Sequence, residues 1–443
     1  MQFERPKYLQ KLVSSIGNGM IKVITGPRRS GKSYLLNPIF TEYLLAHGIP
    51  KDRIFILDLS DDRNEELHNP ISLGKKVRSI LPREGKAFLF IDEIQLCESI
   101  ESPYFEGVQT VSGKKPMITF YSVLNGLLSS YRNVDVYVTG SNSHMLSSDI
   151  ATEFRGRGWQ IHMHPLSFGE LREATPTSVN DFDLWNSFYR WGGLPGCALL
   201  ATEKEKRAYL QNVFLTTYIR DVADRHALRN EHSLEEVTSF LSTSVGSLIS
   251  ADKLANTFRS KENSRISPDT VRKYFDYLED AFLVSKAQRY DLKGKETIGG
   301  TAKYYFEDLG LRSAAAGFKG MDQEPHFMEN AIYDELQARG YQVNVGVIST
   351  NEMVNGRQTR VNREVDFVVE THGRRFYIQS AYWIPDAAKL SQEKAAFRRI
   401  GDGFTKIIVS KFTDGISSDE DGVVRIGLFD FLKNETLLDA PLF

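Results

Sequence analysis

The sequence predicts an α/β chain that opens on a parallel sheet, passes through a helical middle and ends in a second mixed α/β region. Three observations carry this. In the first part, short apolar runs alternate with helix-length spacers: Ile21-Lys22-Val23-Ile24, Ile54-Phe55-Ile56-Leu57, Ala87-Phe88-Leu89-Phe90-Ile91, and Val134 to Val138. Runs this continuous, rich in β-branched and aromatic residues, read as strands buried on both faces. From Leu184 the pattern turns helical, and from Phe327 it returns to mixed elements. At 443 residues the chain exceeds one ordinary core, and the expected division is 1–175, 176–320 and 321–443.

The elements follow in order. The first strand stops at Thr25-Gly26, and Tyr34-Leu35-Leu36 opens a helix. Between the third and fourth strands, Pro103, Gly107, Gly113 and Pro116 mark an insertion or loop, and Phe120 to Leu128 a helix. Helices are expected over 184–191, 204–227, 234–248 and 251–258. Ser267-Pro268-Asp269 places a serine cap before a proline at the first helical position. The helix it starts runs Thr270 to Leu278, with Val271, Tyr274, Phe275 and Leu278 on one face. Strands at 282–284 and 303–306 flank a basic loop around Lys293-Gly294-Lys295. Helix, helix and hairpin in this order form a winged helix-turn-helix pattern. The last part offers a helix from Met328 to Arg339, closed by Gly340, then strands at 365–369, 376–379 and 406–409.

Composition narrows the class. Hydrophobic content of 41% and charged content of 25% suit a soluble globular protein. No run approaches the ~20 apolar residues of a membrane helix, and Met1 to Pro6 has no signal-type apolar stretch. Cys97 and Cys197 suggest no disulfide framework. A cytoplasmic protein with no membrane partner is therefore expected. The net charge of -2 offers no global basic field, while leaving room for a local basic face.

Gly26-Pro27-Arg28-Arg29-Ser30-Gly31-Lys32-Ser33 fits G-x-x-x-x-G-K-S in full, between a strand and a helix. The glycines let the backbone curl so that its N–H groups face phosphates, and the helix N-terminus adds a favourable dipole. Lys32 reaches the β- and γ-phosphates, and the Ser33 hydroxyl ligates magnesium. Gly26 through Ser33, with Tyr34, are the candidate nucleotide-binding residues. Ala87 to Ile91 ends in Asp92-Glu93. Asp92 would hold the magnesium with Ser33, and Glu93 would orient and deprotonate the attacking water. At the end of the fourth strand, Asn142 or Ser141 would sense the γ-phosphate by hydrogen bonding. Arg155 and Arg157 are candidate transition-state arginines, in this chain or delivered by a neighbouring subunit; the plainer reading is two surface arginines.

At this point the chain resembles a large family of bacterial and archaeal AAA-type ATPases with a C-terminal domain of unknown function. The matching strings are Gly26 to Ser33, Asp92-Glu93-Ile94-Gln95, Thr139-Gly140-Ser141, Arg155-Gly156-Arg157, Pro165 to Glu170, Gly192-Gly193-Leu194-Pro195, Tyr218 to Val222 and Phe306 to Gly310. The resemblance covers nearly the whole chain. It implies an α/β P-loop NTPase core of the AAA type with parallel strands in the order 5-1-4-3-2. A helical and winged-helix middle and a restriction-nuclease-like end would follow. The preference for ATP rests on the resemblance. The insertion at Glu98 to Lys115 departs from the shorter family pattern.

Two further sites are suggested. Glu329, Asp366 and Gln379-Ser380-Ala381 follow the order of a restriction-type nuclease, but Gln and Ala stand where that core has Glu and Lys. Neutral Gln ligates magnesium weakly and Ala stabilises no charge, so a silent, binding or structural role is favoured over cleavage. Arg265, Arg272 and Lys273 in or beside the second helix of the pattern, with Lys286, Arg289, Lys293 and Lys295 in its wing, could meet the phosphates of double-stranded DNA. Asp276, Glu279 and Asp280 dilute that field. The expected function is hydrolysis of ATP with Mg2+ to drive a conformational switch, in an oligomer with itself or another protein. The alternatives are a nucleotide-stabilised binding module and an ATP-gated nuclease.

Overall fold

The strands of the first unit are ordered by how much of each is buried. β1 (Ile21–Thr25) and β4 (Val134–Thr139) are buried throughout, and β3 (Ala87–Asp92) is buried up to its terminal acid. β2 (Ile54–Asp58) and β5 (Gly158–His162) are only partly covered and form the edges. All pair in parallel in the order β5-β1-β4-β3-β2. This computed structural model describes residues 3–105, 115–141, 152–228, 230–261, 266–354, 357–371 and 373–439. The chain divides into two compact units, 2–164 and 165–443.

Alternate strand residues feed two cores in the first unit. Val23, Leu89 and Val136 pack with Leu73, Val77 and Leu124 of the helices α1 (Pro70–Ile80) and α2 (Phe120–Ser130). Ile24, Phe88, Phe90 and Tyr137 face the other way, toward Leu12, Leu35 and Phe40. Asn69 and Thr119 cap the two helices by accepting backbone N–H bonds. After the glycine-rich loop the helix runs Lys32–Tyr34 and Leu35–Phe40, with a kink at Asn37 ahead of Pro38. Of the insertion, Ile100–Glu101 pairs with Met117–Ile118; residues 106–114 lie outside the described residues.

The second unit begins with helices α3 (Phe168–Ala174) and α4 (Asp181–Trp191), then a continuous helical stretch from Glu203 to Arg225, then α5 (Glu231–Thr243). α5 stops five residues short of the expected Leu248, where Gly246 takes φ +84°. The helix–helix–hairpin segment is present as α6 (Ala251–Lys261), α7 (Pro268–Asp280), β6 (Val284–Asp291) and β7 (Glu296–Phe306). Ser267 accepts from Thr270 N at 3.1 Å, as its sequence position implies. A helix α8 (Leu309–Ala315) follows, started by Asp308, whose carboxylate also accepts Gly193 N at 2.7 Å. Two strings of the family resemblance therefore meet each other.

α9 (Glu324–Ala338) starts four residues earlier than expected, with Pro325 in its first turn. The strands β8 (Gln342–Val354), β9 (Arg357–Thr371), β10 (Arg374–Ser380), β11 (Thr405–Ser410), β12 (Ile416–Ser418) and β13 (Val424–Gly427) complete the unit. The hairpin and these strands form one eight-stranded sheet in the order β12-β13-β11-β10-β9-β8-β6-β7. The join is a short parallel pairing of Val345, Gly346 and Val347 with Arg289, Tyr290 and Asp291. No helix among the described residues is long and apolar enough to cross a membrane.

Candidate functional site

β1 delivers the chain into the loop at its C-terminal end. Gly26 takes φ +137°, and a Cβ there would lie 2.2 Å from the Met163 carbonyl oxygen, so this turn admits only glycine. Gly31, at φ +97°, opens the helix that begins at Lys32. Lys32 is 4% exposed, and its Nζ donates to the carbonyls of Gly26 (2.9 Å) and Pro27 (2.8 Å). Burial brings the Lys32 pKa down to about 8, against the pull of Glu93 and Asp92. The Ser30 hydroxyl is buried and meets no partner among the described residues.

β3 brings the acids to the same end of the sheet. Burial raises the Asp92 pKa, and the neighbouring Ser33 and Thr139 hydroxyls pull it back. Thr139, at the end of β4, ties the pair together: its hydroxyl donates to Asp92 Oδ1 and accepts Glu93 N at 2.9 Å. Glu93 sits in the left-handed region at φ +52°, an uncommon conformation for a glutamate. Its carboxylate accepts from Ser141 Oγ at 3.1 Å and from Gln95 Nε2. Arg28 Nε reaches Ser141 Oγ at 3.2 Å.

The structure thus gathers Gly26, Pro27, Arg28, Ser30, Gly31, Lys32, Ser33, Asp92, Glu93 and Ser141. Tyr34 stands beside them, 47% exposed, and Arg29 shapes the loop at φ +68°. Asn142 lies outside the described residues. Arg155 and Arg157 are not brought to the loop of their own chain. β5 runs parallel to β1, and Arg157 O accepts Ile21 N at 2.8 Å, which sets both arginines at the start of β1. The loop leaves the other end of that five-residue strand, roughly 15 Å away. The sequence reading gave no role to the Thr139 hydroxyl or the Gln95 amide. The visible signal was polar side chains closing two apolar strand runs.

In the second unit Glu329 and Asp366 do come together, but around a residue the sequence reading assigned to the wing strand. Lys303 Nζ lies 2.9 Å from Glu329 Oε1, 3.2 Å from Asp366 Oδ1 and 2.5 Å from Glu364 Oε1. Ala381 is buried in an apolar cluster with Val365, Val368 and Tyr377. Around α7 and the hairpin, Lys273, Lys286, Lys293 and Lys295 are exposed, whereas Arg272 is paired with Asp269 (2.5 Å) and Asp252 (2.9 Å). A cavity of about 410 Å³ between α7 and the hairpin is lined by Arg272, Lys286, Gln288, Thr297, Gly300 and Tyr304. Arg265 lies outside the described residues.

A glycine-rich loop between a central parallel strand and a helix, with an acid pair on β3 and strand order 5-1-4-3-2, defines a P-loop fold of the AAA type. Comparison with known proteins agrees. A family model described as an AAA domain matches residues 18–172, and one described as a domain of unknown function (DUF8612) matches residues 183–322. An uncharacterized protein of Haemophilus influenzae is 32% identical over 433 residues, 97% of this chain and 98% of that protein. An uncharacterized protein of Methanocaldococcus jannaschii is 27% identical over 394 residues, 86% of this chain and 79% of that one. The chain belongs to the AAA-domain family that the Haemophilus protein represents. Among solved structures, the ORC1 protein of Aeropyrum pernix in complex with DNA is 12% identical with a TM-score of 0.27, covering 73% of this chain and 95% of that one. Cdc6p of Pyrobaculum aerophilum is 13% identical with a TM-score of 0.28, covering 72% and 94%. Scores this low carry no argument about function.

Proposed function

We propose that the protein binds ATP with magnesium at Gly26 to Ser33 and hydrolyses it, using the cycle as a conformational switch. The observation that carries this is the convergence of the Lys32 ammonium, the Ser33–Asp92 pair and the Glu93 carboxylate at the C-terminal ends of β1 and β3. The residues fit the group. Gly26 makes a turn against Met163 that no other residue admits, the Ser30 hydroxyl is unspent, and the hydrogen bonds of Lys32 go only to two backbone carbonyls. Ser33 and Asp92 would hold the magnesium, a hard cation that neutralises charge on the phosphates. Glu93 would take the proton of the attacking water. Ser141 and Gln95 fix the carboxylate that does so. Arg155 and Arg157, exposed at the far end of β1, would act on a phosphate only from a neighbouring subunit.

Replacing Glu93→Gln separates this reading from a nucleotide-stabilised binding module. The expected result is ATP binding kept within about twofold and turnover lowered roughly 10³-fold. A wild type that turns over no faster than the variant would leave only the binding module.

A second reading is contact with double-stranded DNA near α7 and its hairpin, read as a winged helix. It is favoured by the exposed Lys273, Lys286, Lys293 and Lys295 on α7 and the hairpin, of which Lys286 lines the cavity. Affinity for a mixed-sequence duplex should then fall at least about tenfold between 50 and 200 mM salt. Absent or salt-insensitive binding would remove this reading without touching the first.

A further inference from the structure

Three acids of the second unit share one cation. Glu329 comes from α9, and Glu364 and Asp366 stand two apart on β9, which puts them on one face of the strand. Lys303 of β7 is 1% exposed and places its Nζ 2.5–3.2 Å from an oxygen of each. A lysine ammonium has three donors and no acceptor, so the three carboxylates use its whole capacity. Of the remaining oxygens, Asp366 Oδ2 accepts Ser380 N at 3.0 Å, and Glu329 Oε2 packs so closely on Gly246 that a Cβ there would lie 2.6 Å from it. The Tyr305 hydroxyl donates to Glu329 Oε1 at 2.8 Å.

Oxygens from a helix and a strand, gathered on one buried point, are what a divalent cation requires. This set already has a cation, tethered to the chain. A metal bridging the same oxygens would need to stand within about 2–3 Å of the ammonium nitrogen, where repulsion is large and all three hydrogen bonds are lost. We propose that Lys303 is the resident cation of this site. Its ammonium occupies the place in which a divalent ion would bridge Glu329, Glu364 and Asp366. The wild-type cluster therefore takes no divalent ion, and removing the ammonium turns it into a divalent-cation site. Lys303 then acts as a clasp joining the hairpin, α9 and β9. This cluster then has no metal-activated water to offer. This does not depend on the ATPase reading.

The test uses the full chain without nucleotide and Mn2+ as the probe, at about 1 mM. Binding is read by electron paramagnetic resonance and by the melting temperature, in wild type, D366N, K303M and K303M/D366N. Wild type should bind no Mn2+ that D366N abolishes, and its melting temperature should not respond. K303M should bind about one Mn2+ per chain, with a melting temperature several degrees higher in its presence. Both effects should vanish in K303M/D366N. Should K303M be insoluble alone, recovery of folded chain on refolding with Mn2+, but not without it, supports the proposal in the same way. Two results overturn it: Mn2+ binding by wild type that D366N removes, or a folded K303M that binds none. The wild-type result stands even if K303M never folds, so the proposal is exposed in every case.

Discussion

Lys32 and Lys303 are both buried ammonium groups, and their surroundings satisfy them in opposite ways. Lys32 holds two backbone carbonyls, and burial leaves its pKa at about 8. Lys303 holds three carboxylates; burial lowers its pKa, but Glu329, Asp366 and Glu364 together raise it above the ordinary lysine value. An ammonium whose hydrogen bonds go to two carbonyls keeps a donor for an anion, whereas one held against three carboxylates keeps none. Burial alone therefore does not mark a functional lysine. What marks it is the donor left over.

The sharpest way to break this comparison is to truncate both lysines. Lys32→Ala should lower ATP turnover by 10³-fold or more, roughly 4 kcal/mol of transition-state stabilisation, and change nucleotide-free stability by less than about 1 kcal/mol. Lys303→Ala should do the reverse. Leaving buried carboxylates unpaired is expected to cost about 3–5 kcal/mol in urea unfolding, with turnover per folded molecule nearly unchanged. Equal losses of stability in the two variants would erase the distinction.

A smaller effect sharpens the second site. Burial pushes the Asp366 pKa up to about 7, against the pull of Lys303. A carboxyl whose folded pKa lies above its unfolded value holds its proton better when folded. That stability is fully present below about pH 4 and is lost as pH rises through about 7. Asp366→Asn should flatten this fall, by an amount on the order of 2 kcal/mol, in unfolding measured from pH 4.5 to 8. An unchanged pH profile would show that Asp366 is ionised throughout.

The first site has its own titration. If phosphate requires the Lys32 ammonium, ATP binding near pH 8 should take up a fraction of a proton. Affinity should then weaken by no more than about tenfold between pH 8 and 9. Calorimetry in buffers of different ionisation enthalpy measures the uptake, and a value of zero sinks the assignment. Smallest of all, Gln95→Ala should lower turnover several-fold with ATP binding intact. Thr139→Val should lower it about tenfold, since it strips a partner from both Asp92 and the Glu93 amide.

The elements legible in the sequence were those whose physics is local. β1, β3 and β4 read as continuous apolar runs because both faces are covered, and Ser267-Pro268 announced α7. β5 was passed over by the run of residues alone because an edge strand needs apolar residues on few positions, and Trp159 is 46% exposed. β8 was missed because its far half is polar, Ser349-Thr350-Asn351-Glu352. The phosphate loop was legible down to its residues. The clasp at Lys303 was not, because its partners Glu329 and Asp366 lie 26 and 63 positions away and only the folded sheet unites them. For the same reason the spacing of Arg155 and Arg157 gave no clue to which end of β1 they would occupy.

The parallel seam between β6 and β8 constrains how this chain can be taken apart. A protein cut after residue 321 would leave β6 with a bare rim of amides and carbonyls, ready to recruit a strand from any neighbour. The helix–helix–hairpin piece is therefore no portable cassette. Its outer wall is supplied by Val345, Gly346 and Val347, which lie beyond such a cut.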